Sequence, residues 1–332
     1  MQLILIKENS GIPKYKQIIN SIEGALSSGL LKKGNALPSI NSVRNKYSLS
    51  RDTVFMAYND LKTRGIIESV VGKGYYVKSE NVLVTQKIFL LFDELNAFKE
   101  DLYNAFLDGM DKNTQVDIFF HHFNIDVFDT LISDSVGNYN YYVIMPANLR
   151  GTHKIIKKLP DDKVYILDQT NKTLNKYPAI YQNFEKDIYY SLKKALPHLN
   201  KYHKMVLLFP GKKQPQSMLL GFQRFRKESK LKCEIIDTLE NRILERGEVY
   251  LVLDDKDLIV LIKTIRYQQL ELGNDIGIIS YNDTMLKEIV EGGITTISTD
   301  FKKMGNRLAQ MIINNEKLKI ENPNALILRE SL

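Results

Sequence analysis

The hydrophobic positions of the first eighty residues follow two different periods. Apolar residues recur at spacings of three and four in three successive stretches, which predicts three amphipathic helices. Their inward-facing positions are Tyr15, Ile18, Ile19, Ile22 and Leu26; then Ile40, Val43 and Tyr47; then Val54, Ala57, Tyr58 and Leu61. Two short runs, 66–71 and 75–77, lie on either side of Gly72-Lys73-Gly74 and predict a hairpin with a basic tip.

Serine residues mark where the second and third helices begin. Ser39 and Ser50 each precede a predicted helix, where a serine hydroxyl can accept a hydrogen bond from an unpaired backbone N–H. Two helices joined by a tight turn and followed by a hairpin are typical of a winged helix-turn-helix, in which the start of the third helix enters the major groove of DNA. The sequence therefore predicts that Arg51, Asp52 and Thr53 lie at the DNA.

From residue 88 onward, short apolar runs alternate with stretches of helical spacing. The runs are 88–92, 116–120, 141–145, 164–167, 204–209, 233–236, 249–253 and 276–280, and helical stretches include 185–196, 218–228 and 257–272. This alternation predicts an α/β fold in which helices cover both faces of parallel sheets, and the number of strands predicts two lobes. The expected chain is a small N-terminal α+β domain followed by a larger, two-lobed α/β domain.

Polar residues follow many of these apolar runs, at the strand ends where ligands bind in parallel sheets. Carboxylate and amide groups can hydrogen-bond to hydroxyls, and aromatic rings can stack on a sugar, although an aspartate after a strand also commonly caps the next helix. The predicted effector ligands are Phe92, Asp93, Phe98, His121, Asn148, Asp168, Phe184, Asp254 and Asn282. These residue types favour a polyol. No metal site is expected, because His121 and His122 are adjacent and would point in opposite directions in a strand.

The charge distribution adds a functional hint. The net charge is +7, and residues 1–80 hold 12 basic against 6 acidic side chains, so that the rest of the chain is almost neutral. A basic segment suits DNA, because neutralising phosphates releases condensed counterions. A well-solvated surface would have the same composition.

Cysteine content and apolar run length bear on the cellular compartment. One cysteine, Cys233, excludes an intramolecular disulfide and a cysteine-rich zinc site. The opening apolar run is too short for a signal peptide, and no later run approaches the length of a membrane span. The sequence therefore predicts a cytoplasmic protein that does not insert into a membrane.

Residues 12–77 resemble the DNA-binding domain of the GntR family of bacterial regulators. The residues that carry the resemblance are Leu37-Pro38-Ser39, the run 47–54, Leu61, Gly65 and Gly72-Lys73-Gly74. The resemblance implies transcription regulation, with a DNA interface formed by Ser39, Asn41, Arg44, Ser50, Arg51, Asp52, Thr53, Lys73, Gly74 and Tyr75. Asn41, Phe55 and Met56 stand where the family usually has basic residues, so the resemblance does not extend to a particular operator.

Residues 86–332 resemble the effector-binding domain of the LacI/GalR regulators, which is similar to periplasmic sugar-binding proteins. The clearest stretches are 252–255, 277–284, 294–300 and Met304-Gly305. The resemblance implies that Asp254 and Asn282 hydrogen-bond the effector.

One arginine that is common in the LacI/GalR regulators is absent. Met218 occupies its place shortly before Gly221, and Gln214, Gln216 or Ser217 is the expected substitute. A GntR-type reader joined to a LacI-type sensor resembles the arabinose-responsive repressors of bacilli. That likeness implies a pentose or a deoxyhexose as effector.

Together these features predict a winged helix-turn-helix domain at 1–77, a linker at 78–86, and an effector-binding and dimerisation domain at 87–332. The expected protein is a homodimeric repressor on a palindromic double-stranded DNA operator, controlled by a small neutral sugar, with no cofactor, metal or catalytic residue. Two alternatives stay open. One keeps the regulator but replaces the sugar with a nucleobase or a phosphorylated metabolite. The other is a sugar-processing α/β enzyme that uses Asp93 or Asp254 as general base, although no nucleophile elbow, phosphate loop or dinucleotide motif is present.

Overall fold

The structure, a computed structural model, describes residues 3–7, 12–211 and 213–332. Its helices are α1 Lys14–Ser27, α2 Ile40–Tyr47, α3 Arg51–Thr63, α4 Ala97–Asp108, α5 Ile125–Ser135, α6 Thr152–Ile156, α7 Phe184–Leu199, α8 Gln216–Glu228, α9 Asp255–Tyr267, α10 Met285–Ile289 and α11 Phe301–Ile313. Its strands are β1 Ile67–Val70, β2 Gly74–Val77, β3 Gln86–Phe92, β4 Thr114–Phe120, β5 Tyr141–Ile144, β6 Val164–Asp168, β7 Ala179–Tyr181, β8 Lys204–Leu208, β9 Lys232–Ile236, β10 Glu248–Val252, β11 Ile276–Tyr281, β12 Thr295–Thr299, β13 Lys319–Glu321 and β14 Asn324–Ile327. Within these described residues, no helix has the length and apolar character that crossing a membrane requires.

The described chain divides into two compact units. The first contains the residues up to Phe92 together with Met110–Ile144 and Gly151–Tyr165, and the second contains Asp93–Gly109, Met145–Arg150 and Ile166–Leu332. The first unit holds the N-terminal helices and hairpin, and also β3 with its two parallel neighbours β4 and β5. The second holds a six-stranded sheet and the parallel pairs β6 with β7 and β7 with β13. The domain boundaries at 77 and 86 stay a prediction.

Side-chain caps and one left-handed residue fix the N-terminal helices. The hydroxyls of Ser39 and Ser50 accept hydrogen bonds from the backbone N–H groups of Ser42 and Thr53, each at 3.1 Å. Ser48 has a left-handed backbone, with φ of 52°, directly after α2. The turn between α2 and α3 is therefore tight. The sequence of three helices and an antiparallel hairpin is confirmed.

The six-stranded sheet of the second unit has the order β14-β12-β11-β10-β8-β9, and its neighbours are parallel except for β12 with β14. Alternate residues of β10 enter different hydrophobic clusters. Val249 and Leu251 pack with residues of α7 and α8, whereas Tyr250 and Val252 pack with residues of α9. Since both faces are covered, most strand positions must be apolar, which accounts for the unbroken apolar runs in the sequence.

The structure confirms the α/β fold with parallel sheets, and all eight apolar runs form strands. Strands β7, β12, β13 and β14 were not predicted. Three of them have only three or four residues, and β12 consists mainly of threonine and serine. The Thr295 and Thr299 hydroxyls are satisfied by the carbonyl oxygens of Arg329 and Pro323, each at 3.1 Å. An apolar count does not detect such a strand. The helix predicted over 257–272 ends earlier, at Tyr267.

Helices α4 and α11 approach closely through small residues. A Cβ atom added at Gly305 would lie 2.3 Å from the carbonyl oxygen of Leu102, and one added at Gly109 would lie 2.7 Å from the Cβ of Ala309. Both distances are shorter than a side chain tolerates. Glycine at these two positions is therefore what lets the helix backbones pack together.

We expect Gly305→Ala to destabilise the protein by about 1–3 kcal/mol, because the added methyl group must push α4 and α11 apart. Thermal unfolding followed by circular dichroism would measure the change. Gly24→Ala in α1 is the matched control, since no atom lies within 4 Å of its added Cβ. That control should stabilise by about 0.5–1 kcal/mol. Equal shifts in the two variants would contradict the importance of this close contact.

Candidate functional site

The first candidate interface lies at the start of α3. Arg51 and Asp52 are exposed there, and Thr53 is half-buried. The Ser50 hydroxyl accepts from the Thr53 N–H and lies 2.8 Å from Thr53 Oγ1. Ser50 and Thr53 thus bind each other as a helix cap, and the exposed charged groups are those of Arg51 and Asp52. Their contact with DNA stays a prediction.

Helix α2 carries three more of the residues predicted at DNA. Ser39 caps the helix through the Ser42 N–H, while Asn41 and Arg44 are exposed. The Arg44 guanidinium donates two hydrogen bonds to Asn45 Oδ1, at 3.0 and 3.1 Å. A bond of this kind at the surface can be exchanged for one to a phosphate oxygen.

The hairpin of β1 and β2 presents Lys73 at an exposed tip. Gly72 and Gly74 flank it with φ of 72° and 105°, a backbone region that side chains other than glycine rarely adopt. Tyr75 packs edge-on against Tyr58 with 5.0 Å between ring centroids. The tip is therefore formed by backbone geometry that the glycines permit, and Tyr75 anchors it to α3.

Large apolar side chains are exposed beside these polar groups. Phe55 and Met56 on α3 are 51% and 52% exposed, and Val71 beside the hairpin tip is 98% exposed. Apolar side chains in a DNA groove contact thymine methyl groups. Phe55 and Met56 stood out in the sequence only as departures from the family pattern, and Val71 was missed. Their exposure is the signal that adds them to the candidate interface.

Arg64 fixes the C-terminal end of α3 to the predicted linker. Its guanidinium pairs with Glu23 at 2.5 Å and with Asp60 at 3.1 Å. It also donates to the backbone carbonyl oxygens of Val82 at 3.2 Å and Val84 at 2.7 Å. One largely buried side chain therefore holds α1, α3 and the linker together, a role that the sequence pattern did not reveal.

The second candidate site lies in the second unit, which contains Asp93, Phe98, Asn148, Asp168, Phe184, Gln214, Asp254 and Asn282 of the predicted effector residues. Three residues at or just after strand ends in this unit have left-handed backbones: Ala147 with φ of 48°, Asp168 with 70° and Asn282 with 61°. Such conformations are uncommon outside glycine and occur often at functional sites. Other residues of this unit, Asn315 among them, share this backbone region, so the three conformations identify these strand ends as irregular without being confined to them.

Buried polar side chains form a connected group at these strand ends. Asp93 forms an ion pair with Lys99 of α4, and both side chains are 6% exposed. Asp168 accepts a hydrogen bond from Gln182 Nε2 at 2.5 Å, and the Tyr281 hydroxyl donates to Gln182 Oε1 at 3.2 Å. Burial raises the pKa of Asp168, and the positive charge of Lys99 opposes that rise. Sequence reasoning missed Lys99, Gln182 and Tyr281, because their partners are distant in the chain or lie on another element.

Two of the predicted ligands have buried oxygen atoms that lack a hydrogen-bond partner among the described residues. These atoms are Oδ1 of Asn282 and Oε1 of Gln214, and the hydroxyls of Ser280 and Thr170 are in the same condition. Leaving a buried polar group unsatisfied costs about 1–3 kcal/mol. A ligand that brings hydroxyl groups to Asn282 and Gln214 would supply the missing donors.

The other polar ligands have protein partners. Asp254 caps α9 by accepting from the Lys256 N–H at 2.8 Å, which is the alternative role that the sequence allowed for an aspartate after a strand. The Asn148 amide is exposed and donates to the carbonyl oxygen of Lys213 at 2.8 Å. The Lys213 ammonium in turn pairs with Glu94 at 2.5 Å. Asp254 and Asn148 therefore have to exchange or share these bonds to contact an effector.

The aromatic residues of the second unit are engaged with other rings. Phe98 stacks on Phe301 with 4.8 Å between centroids, and Phe184 lies 6.3 Å from Tyr281. Phe98 is half-buried, whereas Phe184 is 7% exposed. Phe98 is thus the more accessible of the two for stacking on a ligand.

Phe92 and His121 lie in the first unit and are fully buried. The ring of Phe92 is 6.3 Å from that of Phe120. His121 Nδ1 accepts from the Phe123 N–H at 3.2 Å, and its ring meets Phe128 edge-on at 5.3 Å. Both side chains contribute to packing, and their predicted contact with an effector stays untested. Across the described ranges, no group of three histidine, cysteine, aspartate or glutamate residues is arranged to hold a metal ion.

Family models match both parts of the chain. The model described as "Bacterial regulatory proteins, gntR family" matches residues 14–77, and the model described as "Periplasmic binding protein-like domain" matches residues 200–332. The matched ranges coincide with the three helices and hairpin, and with the strands and helices from β8 to the C-terminus.

Two characterised relatives extend this result. The chain is 33% identical over 107 residues to the HTH-type transcriptional repressor YtrA of Bacillus subtilis (strain 168), which amounts to 32% of this chain and 78% of that protein. It is 21% identical to the arabinose metabolism transcriptional repressor of Geobacillus stearothermophilus, across 97% of this chain and 96% of that protein.

Solved structures with the same fold are also regulators. A LacI family transcriptional regulator from Silicibacter pomeroyi superposes with a TM-score of 0.63 at 13% identity, covering 74% of this chain and 98% of that chain. A dimeric Lac repressor with an 11-residue C-terminal deletion superposes with a TM-score of 0.63 at 15% identity, covering 74% and 98%. At these identities the likeness shows the fold alone.

The winged helices and the periplasmic-binding-protein-like fold define a DNA-binding transcription regulator with a sensor-type domain. Within that class, the chain belongs to the GntR family of bacterial regulatory proteins. Because residues 14–77 match the GntR family and the relative at 33% identity is a transcriptional repressor, the chain is a transcription regulator rather than an enzyme.

Proposed function

We propose that this regulator is a repressor that binds a palindromic operator as a homodimer and is controlled by a small neutral sugar. The observation that carries the choice of effector is the pair of unsatisfied buried oxygens on Asn282 and Gln214, in a unit with a sensor-type fold. The two relatives described above support the proposal, since both are named repressors and one of them controls arabinose metabolism.

DNA contact in this proposal uses exposed positive charge on three elements. Arg44 lies on α2, Arg51 at the start of α3 and Lys73 at the hairpin tip. Phosphate contacts by such residues position a protein on the duplex, and contacts to base edges at the start of the recognition helix determine sequence preference. Phe55 and Met56 supply apolar contacts on the same helix as Arg51.

We expect Arg51→Ala to raise the Kd for an operator, selected from a random DNA pool, on the order of tenfold, and to reduce the salt dependence of binding by about one ion per subunit. Fluorescence anisotropy at several salt concentrations would measure both. Lys16→Ala is the matched control, because it removes an exposed positive charge from α1. An equal loss in the two variants would argue for general electrostatics and against a defined contact at Arg51.

Charge pairing favours a neutral effector over a phosphorylated one. A phosphate group needs cations that are not already neutralised by the protein. Lys99 and Lys213, which lie beside the candidate ligands, pair with Asp93 and Glu94. Hydroxyl groups, in contrast, can donate directly to the oxygens of Asn282 and Gln214.

We expect a pentose or a deoxyhexose to raise the Tm of the protein, because a ligand that binds only the folded state stabilises it. Asn282→Gly should remove most of that shift, since it deletes the unsatisfied amide while glycine tolerates the left-handed backbone. Asn315→Gly is the matched control, as Asn315 also has a left-handed backbone, with φ of 51°, and is exposed. Differential scanning fluorimetry with neutral sugars, sugar phosphates and nucleobases would measure these shifts.

A rise in Tm that appears only with a sugar phosphate or a nucleobase would exclude a neutral sugar as the effector and would remain consistent with a transcription regulator. A sugar-dependent shift that survives Asn282→Gly would place the sugar elsewhere in the protein.

Dimerisation is supported by an exposed apolar face on α9 and α10. Lys287 of α10 forms an ion pair with Asp255 at the start of α9, at 2.8 Å, and Arg266 near the end of α9 forms one with Glu291 just after α10. The apolar side chains left exposed on the pair, each more than two-fifths accessible, are Ile259, Val260, Tyr267, Met285, Leu286 and Ile289. An apolar surface of this kind marks a protein interface more often than a solvated surface does. A twofold dimer would match a palindromic operator.

We expect Leu286→Asp to convert the dimer to monomer at micromolar concentration, because a carboxylate in an apolar interface loses hydration without gaining a partner. Sedimentation velocity would measure the change. Ile243→Asp is the control, since Ile243 is 78% exposed outside α9 and α10. A Leu286→Asp protein that sediments as wild type would exclude this face as the dimer interface.

A further inference from the structure

A groove of about 490 Å³ runs along α7, and its lining contains none of the residues proposed to bind the effector. Its lining combines one face of α7 with the segment that joins β13 to β14. The lining residues are Lys186, Asp187, Tyr190, Ser191, Lys194, Glu321, Asn322, Pro323 and Asn324. All of them lie in the second unit.

The Asp187 carboxyl in this groove lacks a partner that a buried acid normally has. Asp187 is 8% exposed, and its Oδ2 atom has no hydrogen-bond partner among the described residues. Buried polar atoms in folded proteins are nearly always hydrogen-bonded. An unpaired carboxyl therefore lowers stability unless a donor from outside the chain occupies the groove.

A second unsatisfied group in the groove is a donor. The Ser191 hydroxyl donates to Asn324 Oδ1 at 3.3 Å. The Nδ2 atom of the same amide is buried and has no acceptor in the described part of the chain. Within the described residues, the Asp187 carboxyl therefore lacks a hydrogen-bond donor, and the Asn324 amide lacks a hydrogen-bond acceptor. A molecule that carries both kinds of group would satisfy both atoms.

Of the two lysines at the rim of the groove, one forms an ion pair and, within the described chain, the other does not. Lys186 pairs with Glu321 at 3.1 Å, and Glu321 also accepts from Asn183 at 2.8 Å. Lys194 is exposed and has no ion pair with any described residue. The groove therefore offers one unpaired positive charge at its rim in addition to the buried Asp187 carboxyl.

We propose that this groove binds a small zwitterion, with its ammonium group on Asp187 and its carboxylate between the Asn324 amide and Lys194. An ammonium supplies donors to Asp187, and a carboxylate supplies the acceptor that Asn324 and Lys194 lack. An α-amino acid has both groups on adjacent carbon atoms and fits the volume. The site would give the regulator a second input besides its effector.

The protonation of Asp187 makes this binding depend on pH. Burial, reinforced by the negative charge of Glu321 and opposed by Lys186, raises the pKa of Asp187 from 3.8 to about 7. Tyr281 of β11, which interacts electrostatically with Asp187, stays protonated because burial raises its pKa well above 10. Tyr190 and Lys194 of α7 line the same groove. An ammonium group prefers the ionised carboxylate. The affinity should therefore rise about tenfold between pH 6 and pH 8, as the ionised fraction grows.

The same shift predicts how Asp187 affects stability. Because the pKa of Asp187 is raised in the folded state, its contribution to the free energy of unfolding is fully present below about pH 3.8. This contribution is lost as the pH rises through about 7. Asp187→Asn carries no charge to bury, so this variant should unfold at or above the wild-type temperature at pH 8. A loss of binding in Asp187→Asn can then be separated from a loss of folding.

Four probes that share a five-carbon chain test the proposal on the whole 332-residue chain by calorimetry and by ligand-observed NMR. L-norleucine carries both groups, pentylamine only the ammonium, hexanoate only the carboxylate, and 1-pentanol neither. We expect L-norleucine to bind best, with the stated pH dependence, and to lose at least tenfold in affinity in Asp187→Asn. The exposed-site variant Asp237→Asn, which is matched in chemistry, should bind as wild type.

The outcomes against the proposal are distinct. No binding of any probe to the wild type, binding of L-norleucine that Asp187→Asn leaves unchanged, or 1-pentanol binding as tightly as L-norleucine would each overturn it. The last result would indicate a site for neutral hydroxyl compounds. Asn282→Gly should leave L-norleucine binding intact, and Asp187→Asn should leave any sugar-induced rise in Tm intact, so failure of either site does not depend on the other.

Discussion

Coverage of the parallel sheets on both faces is the constraint on which the rest of this regulator depends. All five residues of β10 are buried, and so are all six of β11, so these strands have little room for polar side chains along their length. Glu248 in β10 is the exception that shows the cost. It is fully buried and needs Arg242, Lys204 and Tyr250 as partners. Ser280 and Asn282 each have a polar atom that no described residue compensates in this way, and they lie at the end of β11, where an effector residue was predicted.

The strand ends are connected to each other by the buried polar group that includes Asp168, Gln182 and Tyr281. Asp168 ends β6 and Tyr281 ends β11. These strands belong to different sheets, and both residues lie in the second unit. Asn282, with its unsatisfied oxygen, directly follows Tyr281. A ligand that binds Asn282 would therefore act on a residue whose neighbour is hydrogen-bonded across the two sheets. A buried hydrogen bond of this kind has few alternative geometries. A small movement of Asn282 must therefore either shift the Tyr281–Gln182–Asp168 hydrogen bonds or be prevented by them.

The sequence predicted what depends on periodicity, and missed what depends on distant contacts. The three N-terminal helices follow from apolar spacing and from the Ser39 and Ser50 caps, which are local signals. Strand β12 was missed because its threonine hydroxyls are satisfied by residues more than twenty positions away. Lys99 was missed for a related reason. A lysine on a helix normally predicts a solvated face, and only the fold brings it against buried Asp93.

The same distinction explains why the site could be predicted only in outline. Residues at strand ends can be selected from the sequence, but whether their polar atoms are already satisfied depends on the three-dimensional structure. Asp254 and Asn282 both follow a buried strand within two residues. Asp254 is engaged in capping α9, whereas the Asn282 oxygen has no partner among the described residues. Position in the sequence does not distinguish the two residues, whereas their hydrogen bonds in the structure do.

The contacts of Arg64 restrict how a signal could change DNA binding. Its guanidinium is bound by two carboxylates, of Glu23 and Asp60, and by the backbone carbonyls of Val82 and Val84. Rotating α3 relative to the linker would break the two hydrogen bonds that Arg64 donates to the carbonyl oxygens of Val82 and Val84, and each hydrogen bond of a charged group contributes about 1.5–3 kcal/mol. Moving α1, α3 and the linker together breaks none of them. In the proposed dimer, regulation through the spacing of two winged helices is therefore less costly than regulation through a reorientation of the recognition helix within its own domain.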